Sequence, residues 1–136
     1  RRQKWPFEVK LRHDFQPERI SLVRQVAAQR LQETDLLRAF RPGRDPQGRF
    51  VTGDVRAQTQ QALDNIRALI EQAGGTMRDV VKCTVYVTSR EDWEPMNESY
   101  FANFAEDPPH RVSCIVSGLG SPDCLVEIDA TAYLGE

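Results

Sequence analysis

Arg111 is the residue of this chain with the clearest chemical capacity. It stands at the mouth of the stretch Pro108-Pro109-His110-Arg111-Val112-Ser113-Cys114-Ile115-Val116. A guanidinium is a permanently charged planar fork, and it can grip a carboxylate through two parallel hydrogen bonds. The same side chain can also close an ordinary ion pair at a sheet edge, and its immediate neighbours leave both readings open. The two prolines fix φ and push the residues before them out of the helical region, so the chain arrives extended. From there Arg111, Ser113, Ile115 and Ser117 alternate with Val112, Cys114 and Val116. That is the period of a strand with one face against a core. The spacing predicts a strand whose more polar face carries Arg111 and Ser113.

Other chemistries have little material to work with. Cys83, Cys114 and Cys124 are odd in number and lack CxxC spacing, and only His13 and His110 could join them, so no metal site is expected. Reduced, partly buried cysteines fit a cytoplasmic protein. No apolar run approaches the eighteen or so residues of a membrane span. The opening Arg1-Arg2-Gln3-Lys4 leads into no apolar segment, and a secretory signal is not expected. The net charge of −2 hides an asymmetry: residues 1–50 hold twelve Lys/Arg against six Asp/Glu, while residues 51–136 hold six against fourteen. A basic arm of that kind could meet nucleic acid, the acidic remainder of the chain or a neighbouring subunit. No aromatic-interleaved basic motif accompanies it, so nucleic acid is not the expected partner.

The elements that must position Arg111 are legible from residue 52 onward. Thr52 or Asp54 can cap a helix whose apolar face runs Val55, Ala62, Leu63, Ile66, Leu69, Ile70 and Ala73, and Gly74-Gly75 ends it. Residues 79–87 are β-branched and alternating, which predicts a strand. Ser89 or Asp92 starts a second helix, with Pro95 tolerated in its first turn and Trp93, Met96, Tyr100, Phe101 and Phe104 on its core face. A last strand spans residues 124–134, with Val126, Ile128, Ala130 and Ala132 on the apolar side. Residues 1–50 are less readable. Trp5, Phe7, Val9 and Leu11 alternate, residues 19–40 read as a helix or as two strands, and residues 41–48 read as a loop.

The order is an arm or strands, then α-β-α-β-β, in a chain of one-domain length. Helices in such a chain pack on one face of a mixed sheet. The other face is expected to carry Arg111, Ser113, Glu127, Asp129 and Thr131. That set is too polar for a dry core, and a subunit interface containing a pocket would suit it.

Residues 50–134 resemble the Rid family of reactive-intermediate deaminases (the RidA/YjgF family). The matching text is Gly53-Asp54-Val55 with Gln58 and Gln61, then Leu63-Asp64-Asn65-Ile66, Ala73-Gly74 and the block from Asp79 to Val87. It continues with Met96-Asn97-Glu98-Ser99-Tyr100, Pro109-His110-Arg111, Leu119 and Val126-Glu127-Ile128-Asp129-Ala130. The resemblance implies a single α+β domain, chorismate-mutase-like (YjgF-like), with two helices packed on one face of a mixed sheet. It also implies a homotrimer with active sites in the clefts between subunits. The implied activity is hydrolysis of 2-enamine or 2-imino acids, such as 2-aminoacrylate, to 2-keto acids and ammonia, without metal or organic cofactor. The family's carboxylate-clamping arginine falls on Arg111, and the glutamate that orients or deprotonates water falls on Glu127. Its helix asparagine falls on Asn97. The position that offers backbone groups to the imine falls on Ser113. Some relatives carry an attributed nucleolytic activity, for which this sequence supplies no metal site or general-base pair.

The N-terminal part, residues 1–50, departs from the family pattern. The Asp45-Pro46-Gln47-Gly48 turn is present, but counting back from it puts Ala39 where relatives have the serine of a Ser-Gly-Gln segment. Either the early strands are rebuilt around a changed pocket, or residues 8–43 are not in the family's reading frame. The first alternative suits a Rid-fold protein that binds a small carboxylate or a partner without turnover; retained Arg111 and Glu127 suit the deaminase.

Overall fold

The computed structural model describes residues 36–51, 53–104 and 106–135. The alternating segment 5–11, the helical spacing in residues 20–31 and the candidate cap Thr52 lie outside the described residues. The first helix among the described residues, α1, spans Val55–Gln72. Asp54 is its cap, and the carboxylate accepts from Ala57 N at 3.1 Å, which supplies one of the donors a helix start leaves unmet. Val55, Ala62, Leu63, Ile66 and Ile70 are buried along one face, with Leu69 packed beside them. The helix stops at Ala73, and Gly74 takes φ +88°, the left-handed conformation that glycine reaches without a Cβ penalty.

Among the described residues four strands form the sheet: β1 (Leu36–Pro42), β2 (Val80–Val87), β3 (His110–Ile115) and β4 (Val126–Tyr133). Their spatial order is β1-β4-β2-β3. β4 runs antiparallel to both β1 and β2, while β2 and β3 are parallel. Parallel neighbours need a long crossover, and here it is the second helix, α2 (Trp93–Asn103). Pro95 sits in its first turn as expected. Residues 36–42, left open between helix and strand in the sequence, are strand, and β1 extends into the expected loop as far as Pro42. Gly43 then passes so close to α1 that an added Cβ would stand 2.6 Å from Gln58 O.

Both helices cover one face of the sheet, as the apolar spacing requires. Cys83, Val85, Val87, Val126, Ile128, Ala130 and Ala132 meet Leu63, Ile66, Met96 and Tyr100 in one core. Truncating a fully buried leucine such as Leu63 to alanine costs about 2–5 kcal/mol. Two polar side chains of α1 brace the loops. Gln58 donates to Asp123 O at 2.8 Å and accepts from Leu125 N at 2.9 Å. Asn65 donates to Arg44 O at 2.8 Å.

Two expectations about faces are corrected. Phe101 is not a core residue: it is 45% exposed, at the margin of α2. Arg111 and Ser113 do not share a face with Glu127, Asp129 and Thr131. In the β2–β3 register Arg111 stands opposite Cys83 and Ser113 opposite Val85, both core-facing. The polar side of β3 therefore turns toward α2, and Val112, 44% exposed, faces the open side. The physical reason is that β3 lies at the edge of the sheet formed by the described strands. It lies beyond the aliphatic core of the two helices and meets the aromatic margin of α2 instead.

Candidate active site

The seam between α2 and β3 gathers polar atoms that a settled core would pair. Arg111 Nη1, Ser113 Oγ and Asn97 Oδ1 are buried and have no hydrogen-bond partner among the described residues, and the buried Tyr100 Oη has only the weakly hydrogen-bonding Cys83 thiol beside it. Asn97 and Tyr100 are three apart on α2 and so share a helix face. Arg111 and Ser113 are two apart on β3 and so share a strand face. Each buried polar atom without a partner costs about 1–3 kcal/mol, so the seam that concentrates them is the candidate place for a polar group to bind.

Arg111 has aromatic rather than acidic surroundings. Its Cζ lies 4.7 Å from the centroid of the Tyr100 ring and 4.7 Å from that of Phe101. Ring faces attract a cation without neutralising it. Among the described residues no carboxylate pairs with it in an ion pair. Burial pushes the Tyr100 phenol far above its ordinary value, so it stays protonated, and the Cys83 thiol is its polar neighbour. Burial likewise pushes the Cys83 thiol up, which makes it a packing residue and no nucleophile.

Glu127 lies elsewhere. It projects from the open face of β4, opposite Tyr86 of β2 and Pro42 of β1. Burial raises its carboxyl above the ordinary value, and the positive charge of Arg44 pulls in the other direction. Arg44 is itself fixed over the Phe50 ring at 3.9 Å and donates to Gly48 O. Asp129, on the same open face, is engaged by Arg38 at 2.7 Å. An ion pair between Arg111 and Glu127 within one chain, the structural alternative for both residues, is not present. Two strand spacings, roughly 10 Å, and the thickness of the sheet separate the lines they occupy. An open groove of about 830 Å³ runs between the loop at Arg44–Gly53 and the segment Ser121–Leu125. It is walled by the Gln58 brace and does not include the α2–β3 seam.

Of the four seam residues, Arg111, Ser113 and Asn97 are legible in the sequence and Tyr100 is not. A tyrosine at core spacing gives no sign that its ring will face Arg111. His110 is exposed at the start of β3. Among the described residues no group of three His, Cys, Asp or Glu side chains is placed to hold a metal ion, and no helix is long and apolar enough to cross a membrane.

A family model described as endoribonuclease L-PSP matches residues 41–134. The chain belongs to that family, which includes the RidA and YjgF proteins. A RutC family protein of Pyrococcus horikoshii is 47% identical over 90 residues, 65% of this chain and 71% of that protein. The fold matches the crystal structure of RidA from an Antarctic Psychrobacter with a TM-score of 0.68 at 34% identity, covering 73% of this chain and 80% of that one. The YjgF gene product of E. coli gives a TM-score of 0.66 at 34% identity, over 72% and 80% of the two chains. The family match begins near the end of β1, so all but the last ten of the divergent residues 1–50 lie before it.

Proposed function

We propose that this member of the RidA/YjgF family hydrolyses reactive 2-imino acids, formed from 2-enamines such as 2-aminoacrylate, to 2-keto acids and ammonia. One observation carries the reading: Arg111 presents a buried Nη1 that lacks an anion among the described residues. A desolvated cation without a counter-charge is costly, and a substrate carboxylate supplies one. The neighbouring Asn97 Oδ1 and Ser113 Oγ can take the polar groups beside that carboxylate.

Glu127 supports the same chemistry from a different subunit. Because Arg111 and Glu127 occupy opposite faces of one sheet, a single cleft holding both needs Arg111 from one copy and Glu127 from the next. The inter-subunit clefts of a homotrimer meet that requirement, and exposed Val112 and Tyr133 on the open face gain cover there. In the reaction, Glu127 takes a proton from water as its oxygen bonds to C2. The C=N electron pair moves to nitrogen, which is protonated; the C–N bond of the carbinolamine then breaks, giving ammonia and the keto acid. The step needs an anchor, a positioned water and hydrogen bonds to developing charge, and no redox partner.

A dehydratase that generates 2-aminoacrylate from serine provides the test. Pyruvate release should accelerate when this protein is added, and light scattering should give three times the chain mass of 15.5 kDa. Unchanged release at saturating protein would favour the second reading, a Rid-fold protein that binds a small carboxylate or a partner without turnover. One observation favours that alternative: Ala39, where relatives carry a serine, is buried in the core and has no hydroxyl to offer.

A further inference from the structure

We propose that Phe101, working with Tyr100, is a positioning residue for the Arg111 fork, an inference that rests on the carboxylate-clamp reading above. The two rings meet edge to face, with centroids 5.5 Å apart and planes at 88°. The guanidinium carbon sits 4.7 Å from each centroid, in the corner between them. Two perpendicular rings restrict the group about two directions, where a single ring would restrict it about one. Tyr100 is rigid, since it is fully buried and leans on Phe104 with centroids 4.9 Å apart. Phe101 completes the corner from the margin of the helix.

The burial of Phe101 does not explain its presence. At 45% exposed it contributes little to the core, and a polar residue at that helix position would be equally soluble. Its distinctive contact is with Arg111. An arginine side chain has many rotamers, and binding a carboxylate would freeze them at a cost to affinity. A corner of ring faces removes that freedom before the ligand arrives. Aromatic faces suit the task better than a carboxylate, because they hold the cation without cancelling the charge the ligand needs.

Pyruvate, the stable keto acid, is the probe, and calorimetric affinity is the readout. Five proteins are compared: the unaltered chain, Phe101→Leu, Phe101→Tyr, Arg111→Ala, and Phe101→Leu combined with Arg111→Ala. Phe101→Leu should weaken pyruvate binding by about twofold to thirtyfold, the range of a cation–π contact from exposed to desolvated. Its melting temperature should stay near that of the unaltered chain, and Phe101→Tyr, which restores a ring, should recover most of the affinity. The double variant should bind no worse than Arg111→Ala alone, because a positioning residue has nothing left to position. Unchanged affinity in Phe101→Leu, full additivity in the double variant, or no pyruvate binding by the unaltered chain would each overturn the inference. Binding with the expected pattern but no acceleration of 2-aminoacrylate hydrolysis would leave the inference standing and remove the deaminase reading alone.

Discussion

Helix α2 has two polar flanks, and they are built on different principles. Toward α1, Asn103 donates to Gln60 Oε1 and to Ser99 O, both at 2.9 Å, and its carbonyl accepts from Arg67 at 2.8 Å and Gln60 at 3.2 Å. Arg67 also reaches Asp64 at 2.7 Å, and Arg56 reaches Glu98 at 2.6 Å. Toward β3, the same helix offers Asn97 Oδ1 and Tyr100 Oη to a strand bearing Arg111 and Ser113; Asn97 Oδ1, Arg111 Nη1 and Ser113 Oγ lack partners among the described residues, and Tyr100 Oη has only the Cys83 thiol. Two asparagines six positions apart on one helix thus do opposite things. A polar seam whose members satisfy one another holds two helices in register. A seam that leaves donors and acceptors open stores the capacity to bind, at a cost in stability that the satisfied flank helps offset.

The sharpest way to break this contrast is to remove the cation from the open seam. Arg111→Ala should lower kcat/KM for 2-aminoacrylate by at least tenfold to a hundredfold, since a charge-assisted pair contributes about 1.5–3 kcal/mol and more when desolvated. The oligomeric state should match that of the unaltered protein, and the melting temperature should not fall. Arg111→Lys keeps the charge and loses the fork, and should recover only part of the activity. A destabilised assembly, or unchanged turnover, would return Arg111 to a structural role.

The satisfied seam should answer in the opposite currency. Asn103→Ala removes the partner that Gln60 and Arg67 share across the helix pair, leaving them only Asp64 of their own helix, and should destabilise the fold by about 0.5–1.5 kcal/mol, read by urea or thermal unfolding. Its kcat/KM should change little. Lost turnover with unchanged stability would mean that the two flanks of α2 are not separate, and the comparison would fail.

How far these assignments were legible in the sequence depends on whether the deciding contacts are local. Helix α1 announced itself through Asp54, its apolar spacing and Gly74, because caps and periodicity act within a turn or two. Strand β4 was equally plain, since it lies in the middle of the sheet and its alternation of Val126, Ile128, Ala130 and Ala132 maps directly onto a buried face. Strand β3 showed two faces but not which one the helices cover. Alternation identifies the covered face only when the apolar side meets the core, and at the sheet edge Arg111 meets aromatic rings instead. The order β1-β4-β2-β3 is a non-local property, and so is the separation of Arg111 from Glu127. Gln58 and Asn65, part of the family resemblance, prove to be loop braces, whereas Asn97 and Asn103 differ in role only because of what each helix flank faces.

The smallest expected effect concerns the open face and Arg44. Burial raises the Glu127 carboxyl above its ordinary value, and the Arg44 charge works against that rise. Removing the charge in Arg44→Ala should therefore raise the carboxyl further. If Glu127 must be ionised to take a proton from water, the acid limb of the kcat/KM profile then moves to higher pH. Stability has the opposite pH demand. A carboxyl whose folded value lies above its unfolded one holds its proton more tightly in the native state, so its contribution to stability is present below the unfolded value. That contribution is lost as pH rises through the folded value. Turnover thus gains with pH over the window in which Glu127 ceases to stabilise the fold, and the two profiles should cross in that window. Arg44→Lys retains the charge and should return the limb toward its original position. An acid limb that ignores both substitutions, while Glu127→Gln abolishes it, would show that a cation other than Arg44 sets the ionisation of Glu127. In the proposed trimer that cation would be Arg111 of a neighbouring subunit, and Arg111→Lys, which keeps the charge, would then leave the limb nearly in place.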